Sequence, residues 1–274
     1  MRDIKVRPLW RHHGGKWRLA PWIIGHFPEH EIYVEPFCGA ASVLFQKVRS
    51  KTEVLNDLDE DIVNAFCVLR DFSLSSILAA QIALTPYSRK EFIDSYLPTE
   101  YPVERARRTM VRNFMCYSTS GCRASMTGFR STVWKGRRPE QHTWSEKSEW
   151  IPIWTARLRG VVLECLPAID IIGRYDTPKT LFYCDPPYVH STRSAIRWPS
   201  ELGRSYTHEM SDFDHEMLAA ALHSIKGKAI ISGYRSEIYD RLFDGWRRVE
   251  RAARTTNASP RVECLWLSPG IMQA

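Results

Sequence analysis

Short β-prone runs alternate with helical patterns along this chain of 274 residues, and that alternation constrains the fold more than any other feature. Most of the runs are rich in β-branched or aromatic residues, and helical periodicity fills most of the intervals between them. The runs occupy 32–34, 53–55, 161–165, 181–185, 229–234, 246–252 and 264–268. This pattern predicts an α/β domain with a mostly parallel sheet, in which the run at 246–252 is antiparallel to the last strand.

The clearest helical pattern covers residues 212–225, and its start carries the capping-box pair Ser211 and Asp214. One apolar stripe is predicted to face the core, and it consists of Phe213, Met217, Leu218, Ala221, Leu222 and Ile225. The apolar stretch SVLFQKV at 42–48 predicts a helix soon after the first strand, and periodicity over 73–115 predicts several more.

Positive charge is concentrated in one segment of the chain. The whole sequence has 38 Lys and Arg against 31 Asp and Glu, a net charge of +7. Residues 101–160 hold twelve of the cations and four of the acids, a net +8, so the other 214 residues sum to −1. A basic block in a nearly neutral chain predicts a surface that binds a polyanion. A solvated helix face with an adjoining loop is the alternative interpretation.

The charge distribution and the strand pattern together predict the domain organisation. Residues 1–58 and 160–274 form the α/β domain, and residues 59–159 form a helical, basic insertion. Within the insertion, 118–147 is rich in Ser, Thr, Gly and Arg, which predicts an exposed hairpin or long loop.

Composition excludes several classes of protein. A hydrophobic fraction of 44% with 25% charged residues is typical of soluble globular chains. There is no apolar run of about 18 residues, and the charged start lacks the apolar stretch of a secretory signal. Seven scattered Cys without a CxxC pair, and nine His without HExxH spacing, predict neither disulfides nor a metal site. We therefore expect a cytoplasmic protein that uses no membrane and no metal.

The tetrapeptide Asp185-Pro186-Pro187-Tyr188 follows a buried strand, at the edge of an α/β sheet where ligands bind. The two prolines remove backbone donors and leave carbonyl oxygens as acceptors. A carboxylate and a carbonyl that converge can accept both hydrogens of an exocyclic amine, and the Tyr188 ring offers a face for stacking on a base. These residue types in this order predict chemistry on the amino group of a nucleobase, although a simple turn is the alternative for an isolated motif.

Two further turns follow the first two strands. The segment EPFCGAAS at 35–42 has small residues that let the backbone approach a ligand. Asp57 ends the second strand, where an acid can bind vicinal ribose hydroxyls. The first turn lacks GxGxxG, which argues against a nicotinamide cofactor and a pyrophosphate cradle.

Taken in order, these motifs resemble the DNA N6-adenine methyltransferases of the Dam type. The similarity covers nearly the whole chain and rests on GGKWRLAPWI, EPFCGAAS, NDLDED, DPPY, YTHEMSDFDHEML, IISGY and ECLWLSP. It implies a Rossmann-like methyltransferase sheet with an inserted target-recognition domain. It also implies methyl transfer from S-adenosylmethionine to N6 of an adenine flipped out of double-stranded DNA.

The resemblance also implies roles for individual residues. The catalytic set is Asp185, Pro186 and Tyr188. The cofactor-binding set is His12, Lys16, Glu35, Pro36, Phe37, Gly39, Asp57 and Asp185. His12 stands where the family commonly has an aromatic residue. Segment 232–234 is expected to line the base pocket, and Tyr206 with Thr207 covers the base or simply begins a helix.

The basic insertion is expected to hold the DNA. Arg123 and Arg130 are predicted to make contacts in a groove, because arginine forms bidentate hydrogen bonds with guanine. Contacts with phosphates are predicted for Arg105, Arg107, Arg108, Arg112, Lys135, Arg137 and Arg138.

Other functions remain open at the level of the sequence. A cytosine-N4 or RNA adenine methyltransferase would share much of the motif set, and so would a catalytically inactive DNA-binding homologue. The sequence leaves open the recognition site and a restriction partner, and it is compatible with a monomer or a weak dimer on DNA.

Overall fold

The α/β prediction is confirmed by a computed structural model, which describes residues 7–117, 126–131, 139–192, 207–254 and 260–271. Seven strands form one sheet: β1 Ile32–Glu35, β2 Thr52–Asn56, β3 Val162–Glu164, β4 Thr180–Cys184, β5 Lys228–Gly233, β6 Arg247–Arg254 and β7 Pro260–Leu267. All seven predicted runs correspond to these strands.

The order of the strands is β3-β2-β1-β4-β5-β7-β6. Strand β1 is parallel to both β2 and β4, and β4 is parallel to β5. Strand β7 is antiparallel to β5 and to β6, as the sequence predicted for the last two strands. The direction of the strand order reverses between β1 and β4, and this switch point is where an open α/β sheet binds its ligands.

Ten α-helices are present in the described residues: α1 Ala20–Ile24, α2 Glu60–Arg70, α3 Phe72–Leu84, α4 Arg89–Asp94, α5 Pro102–Met115, α6 Glu140–Ser145, α7 Lys147–Leu158, α8 Ala168–Tyr175, α9 Asp212–His223 and α10 Glu237–Leu242. Helices α3, α4 and α5 occupy the stretch from 73 to 115 for which several helices were predicted. The start of α6 at Glu140 shows that the end of the predicted 118–147 loop is helical.

The helix expected from SVLFQKV does not form, and consecutive turns occupy residues 42–46 instead. Ala41 has φ 47°, outside the right-handed helical region. The Leu44 amide donates to the Glu35 carboxyl at 2.8 Å rather than to a helical carbonyl. The prediction was wrong because a buried carboxyl, which periodicity does not reveal, competes for the backbone donor.

Helix α9 has the predicted capping box, since Ser211 and Asp214 bond to each other's backbone amides. Its buried face is formed by His215, Leu218, Ala219 and Leu222. Phe213 is 66% exposed and Met217 is 43% exposed, so the predicted apolar stripe was wrong at these two residues. The buried positions follow helical spacing, and Phe213 lies two residues from His215, which turns it about 200° away.

The chain forms two compact units. One comprises Met1–Trp17, Asp59–Leu163 and Trp198–Thr207, and the other comprises Arg18–Leu58, Glu164–Arg197 and His208–Ala274, as far as each is described. The predicted division into 1–58 plus 160–274 and 59–159 differs from these units mainly at the N-terminal segment.

Within the described ranges, no single helix has both the length and the apolar composition needed to cross a membrane. Helices α2 and α3 reach that length and composition only as a pair, and they meet at a bend of 106°.

Candidate functional site

The turn after β1 is held against the end of β2. The Cys38 amide donates to the Asn56 carbonyl at 2.8 Å, and the Gly39 amide donates to Asp57 Oδ2 at 2.9 Å. Gly39 has φ 49°, which glycine adopts without strain. The result is a tight turn of small, buried residues with the half-exposed Asp57 carboxylate against it. The structure therefore brings the predicted residues Gly39 and Asp57 together.

Asn56 fixes the same edge of the sheet and was not among the predicted site residues. Its side-chain amide donates to the carbonyls of Pro36 and Leu166, both at 2.9 Å, and its oxygen accepts from the Leu166 amide at 2.9 Å. One buried side chain thus ties the turns after β1, β2 and β3. A polar residue at the end of an apolar run could have indicated this role, because a buried side-chain amide needs hydrogen-bond partners.

Glu35 lies at the end of β1 and is fully buried. Its carboxyl accepts from the Tyr33 hydroxyl and from the Leu44 amide, both at 2.8 Å. Burial raises the pKa of Glu35 to about 8, and the Asp185 charge acts in the same direction. Burial therefore favours the protonated form of Glu35, and the carboxyl shapes the turn that contains Pro36 and Phe37.

Asp185 directly follows β4, and the neighbouring strand β5 supplies a partner for it. The Ser232 hydroxyl donates to Asp185 Oδ1 at 2.8 Å. The same hydroxyl lies 3.2 Å from the Tyr183 hydroxyl in a buried environment. Ser232 was expected to line the base pocket, and the structure places it in direct contact with the motif carboxylate.

Tyr188 is anchored through its hydroxyl, which donates to Glu263 of β7. Both side chains are buried, and burial together with the Glu263 charge raises the pKa of Tyr188 well above its ordinary value. The Tyr234 ring meets the Tyr188 ring edge-to-face, with centroids 4.7 Å apart. Glu263 was missed by sequence reasoning, although a carboxylate inside an apolar strand is itself a signal of a buried partner.

His12 and Lys16 belong to the other compact unit. Lys16 is buried, and its ammonium donates to the Gly14 carbonyl at 2.8 Å. The segment that precedes them is fixed by buried Lys147, which donates to the carbonyls of Pro8 and Leu9 at 2.7 and 2.9 Å. Their predicted contact with the cofactor stays a prediction.

The described arginines of α5 are engaged with carboxylates. Arg105 and Arg112 both bind Asp61, at 2.6 and 2.7 Å. Arg107 and Arg108 both bind Glu104, at 2.7 and 2.6 Å.

Arg107 also reaches Glu91 at 2.7 Å. Arg130 donates to the carbonyls of Cys116 and Tyr117 at 3.0 and 2.8 Å and lies 3.7 Å from Glu140. These side chains therefore have intramolecular roles, and their predicted contacts with DNA stay predictions. The remaining predicted contacts, Arg123, Lys135, Arg137 and Arg138, lie outside the described residues, as does Tyr206.

No group of three or more His, Cys, Asp or Glu side chains in the described part of the chain is arranged to hold a metal ion. The polar groups of the site are carboxyls, hydroxyls, amides and backbone groups at the carboxyl ends of β1, β2, β4 and β5.

Antiparallel β7 lies between β5 and β6 in the strand order, and acidic motifs lie at the switch point of the sheet. Together these features define a Rossmann-like methyltransferase. Residues 12–257 match the D12 class N6 adenine-specific DNA methyltransferases, and the chain belongs to this family. It is an adenine-specific DNA methyltransferase, and membership implies use of S-adenosylmethionine in general.

Similar proteins include three enzymes named DNA adenine methylase. The one from Serratia marcescens is 26% identical over 247 residues, which cover 85% of this chain and 86% of the relative. The one from Escherichia coli K12 is 25% identical over 70% of this chain and 68% of the relative. The one from Vibrio cholerae El Tor Inaba N16961 is 24% identical over 74% of this chain and 72% of the relative.

Proposed function

We propose that Asp185, Pro186 and Tyr188 receive an adenine flipped out of duplex DNA and present its N6 amino group for methylation. The observation that carries this proposal is the Ser232–Asp185 hydrogen bond at the carboxyl end of β4, beside the switch point of the sheet. A base inside a duplex is out of reach of such a buried edge, so extrusion is needed at a cost of a few kcal/mol.

The residues after β1 and β2 fit S-adenosylmethionine. Small residues at Gly39 to Ala41 leave room for a ligand close to the backbone, and the Asp57 carboxylate is an acceptor for ribose hydroxyls. We assign Pro36, Phe37, Gly39 and Asp57 to holding this group, with Glu35 shaping the turn. When bound, the group supplies an electrophilic methyl on a sulfonium.

Asp185 and the Pro186 carbonyl orient the N6 amino nitrogen, which is the nucleophile. Each accepts one hydrogen of the N6 amino group, which favours a more tetrahedral nitrogen with its lone pair directed at the methyl carbon. As the lone pair forms the new N–C bond, the bond between sulfur and the methyl carbon would break with its electron pair left on sulfur. The Asp185 carboxylate would accept the proton that N6 then loses. Holding the two reacting atoms in line supplies much of the rate advantage.

Tyr188 provides the stacking surface for the base. Its hydroxyl is tied to Glu263, so the plane of the ring is fixed before a base arrives. Stacking of a base on an aromatic ring contributes about 1–3 kcal/mol. The edge-to-face contact with Tyr234 supports the same ring from one side.

The experiment that tests this function is expression in a methylation-free host, followed by mapping of modified bases at single-nucleotide resolution. We expect N6-methyladenine at one recurring sequence. N4-methylcytosine would favour the cytosine alternative, and methylated RNA with unmodified DNA would favour the RNA alternative. Unmodified nucleic acid from a preparation that binds S-adenosylmethionine would indicate an inactive homologue.

Ser232→Ala is expected to lower kcat by about 10–100-fold. Loss of a hydrogen bond to a charged group costs about 1.5–3 kcal/mol, and here it releases the carboxylate that orients the amino group. Steady-state kinetics should show the effect in kcat more than in KM for DNA. Ser224→Ala removes an exposed hydroxyl from the same unit and serves as the control. Equal kcat values in the two variants would contradict a positioning role for Ser232.

A further inference from the structure

Strand β6 is an edge strand with a concentration of arginine. The segment from Arg247 to Arg261 contains five arginines and one glutamate, a net charge of +4 in 15 residues. Side chains alternate between the two faces of a strand, so Arg247, Val249 and Arg251 share one face and Arg248 and Glu250 share the other.

The face with Arg248 is neutralised. Arg248 forms ion pairs with Asp240 of α10 and, at 3.0 Å, with Glu250 of its own strand. This guanidinium therefore has carboxylates on two sides, and it contributes little to the field outside the protein.

The opposite face carries two arginines, and the carboxylate across from Arg251 in the register, Glu263, accepts from the Tyr188 hydroxyl. Among the described residues, neither Arg247 nor Arg251 forms an ion pair, and Arg251 is exposed. The Arg251 guanidinium lies over the Trp22 ring, 5.9 Å from its centroid. Trp22 in turn meets His26 edge-to-face at 5.5 Å, and burial together with the Arg247 charge lowers the pKa of His26.

The register of the sheet places this face beside the catalytic edge. Arg251 pairs with Glu263 across β6 and β7, and Glu263 holds the hydroxyl of Tyr188. Arg247 lies four residues earlier, about 13 Å along the strand. Measured along the axis of a DNA duplex, that distance spans about four phosphates of one strand.

We propose that Arg247 and Arg251, on the β6 face that carries Trp22, bind the phosphate backbone of the DNA substrate. This inference rests on the proposed function, and it adds a contact surface on the unit that contains the sheet, outside the basic insertion. Charge complementarity supports it, since the described arginines of α5 are paired with carboxylates and these two are not. The cation–π contact with Trp22 orients the Arg251 guanidinium in advance, which lowers the entropy lost on binding.

The test is the salt dependence of binding for the double variant Arg247→Gln/Arg251→Gln. The probe is a duplex that contains the sequence methylated by the wild-type protein. Each phosphate contact contributes about 0.9 to the slope of log K against log salt concentration. We expect the slope to fall by about 1.8, affinity at low salt to weaken, and the methylated sequence to stay the same.

Arg248→Gln is the matched control for Arg251→Gln, because each removes one positive charge and the two residues lie on opposite faces of the same strand. A slope equal to that of the wild type in the double variant would overturn the proposal. A loss of about 0.9 in Arg248→Gln, which is the same loss per charge, would also overturn it, because net charge alone would then explain the effect. If the double variant melts at a lower temperature than the wild type, Arg251→Gln alone tests the proposal, with an expected loss of about 0.9.

Failure of this proposal is distinguishable from failure of the proposed function. If the wild-type protein methylates the duplex and the double variant keeps the full salt slope, only the proposed β6 surface is rejected. A wild-type protein that methylates no duplex would reject the proposed function itself.

Discussion

Asp185→Ala is expected to lower the rate of methyl transfer by at least about 100–1,000-fold, with cofactor binding retained in part. Removing a preorganised group that acts on the reacting atoms typically has an effect of this size. The alanine variant loses the acceptor for one N6 hydrogen, and the Ser232 hydroxyl loses the carboxylate to which it donates. Single-turnover kinetics on a duplex with the mapped sequence would measure the loss.

Asp244→Ala is the matched control for this variant, because it removes an exposed carboxylate from the same unit. Calorimetric titration with S-adenosylmethionine should show measurable binding by both variants. Near-normal turnover in Asp185→Ala would refute the assignment of Asp185. A complete loss of cofactor affinity in Asp185→Ala would instead indicate that Asp185 binds the cofactor and not the base.

Lys47→Met is expected to destabilise the protein by about 3–5 kcal/mol, because it leaves a buried carboxylate uncompensated. Lys47 and Glu53 are each 2% exposed at the side chain and bond at 2.8 Å. Arg49 lies 3.7 Å from the other Glu53 oxygen, but it is 44% exposed and offsets only part of the loss. The pair closes the segment between β1 and β2 that contains the turn at Gly39, so cofactor affinity should fall as well.

Chemical denaturation monitored by circular dichroism would measure this loss of stability. Lys90→Met breaks the exposed ion pair with Asp94 and should leave the denaturation midpoint unchanged within error. The double variant Lys47→Met/Glu53→Leu should be more stable than Lys47→Met alone, because no charge remains buried without its partner. If Lys47→Met were as stable as the wild type, the Lys47–Glu53 ion pair would contribute little to the free energy of unfolding.

Most of the strands could be predicted from the sequence because they are short, rich in apolar residues and bounded by turn residues. The motifs at 35–42, 56–59 and 185–188 could be located at one edge of the sheet, because parallel strands bring their carboxyl ends together. The turns after Ala41 could not be predicted, because their geometry depends on the buried Glu35 carboxyl taking the Leu44 amide.

The distribution of effective charge was likewise only partly predictable from the sequence. A count of residues located the excess of positive charge in 101–160, but it could not show which cations are neutralised. Asp61 lies 44 and 51 positions from the arginines of α5 that it binds. The pairing of Arg248, and the unpaired charge at Arg247 and Arg251, likewise depend on which face of β6 each residue occupies.

By itself, the sequence determined the class of fold, the order of the motifs and the residues that follow the central strands. These features depend on local composition and on the period of the apolar residues, which neighbours along the chain specify. Only the tertiary structure decided that Ser232 holds Asp185 and that Glu263 holds Tyr188, across separations of 47 and 75 residues. A buried polar group must find a partner in space, and the partner is chosen by strand order and register rather than by proximity in sequence.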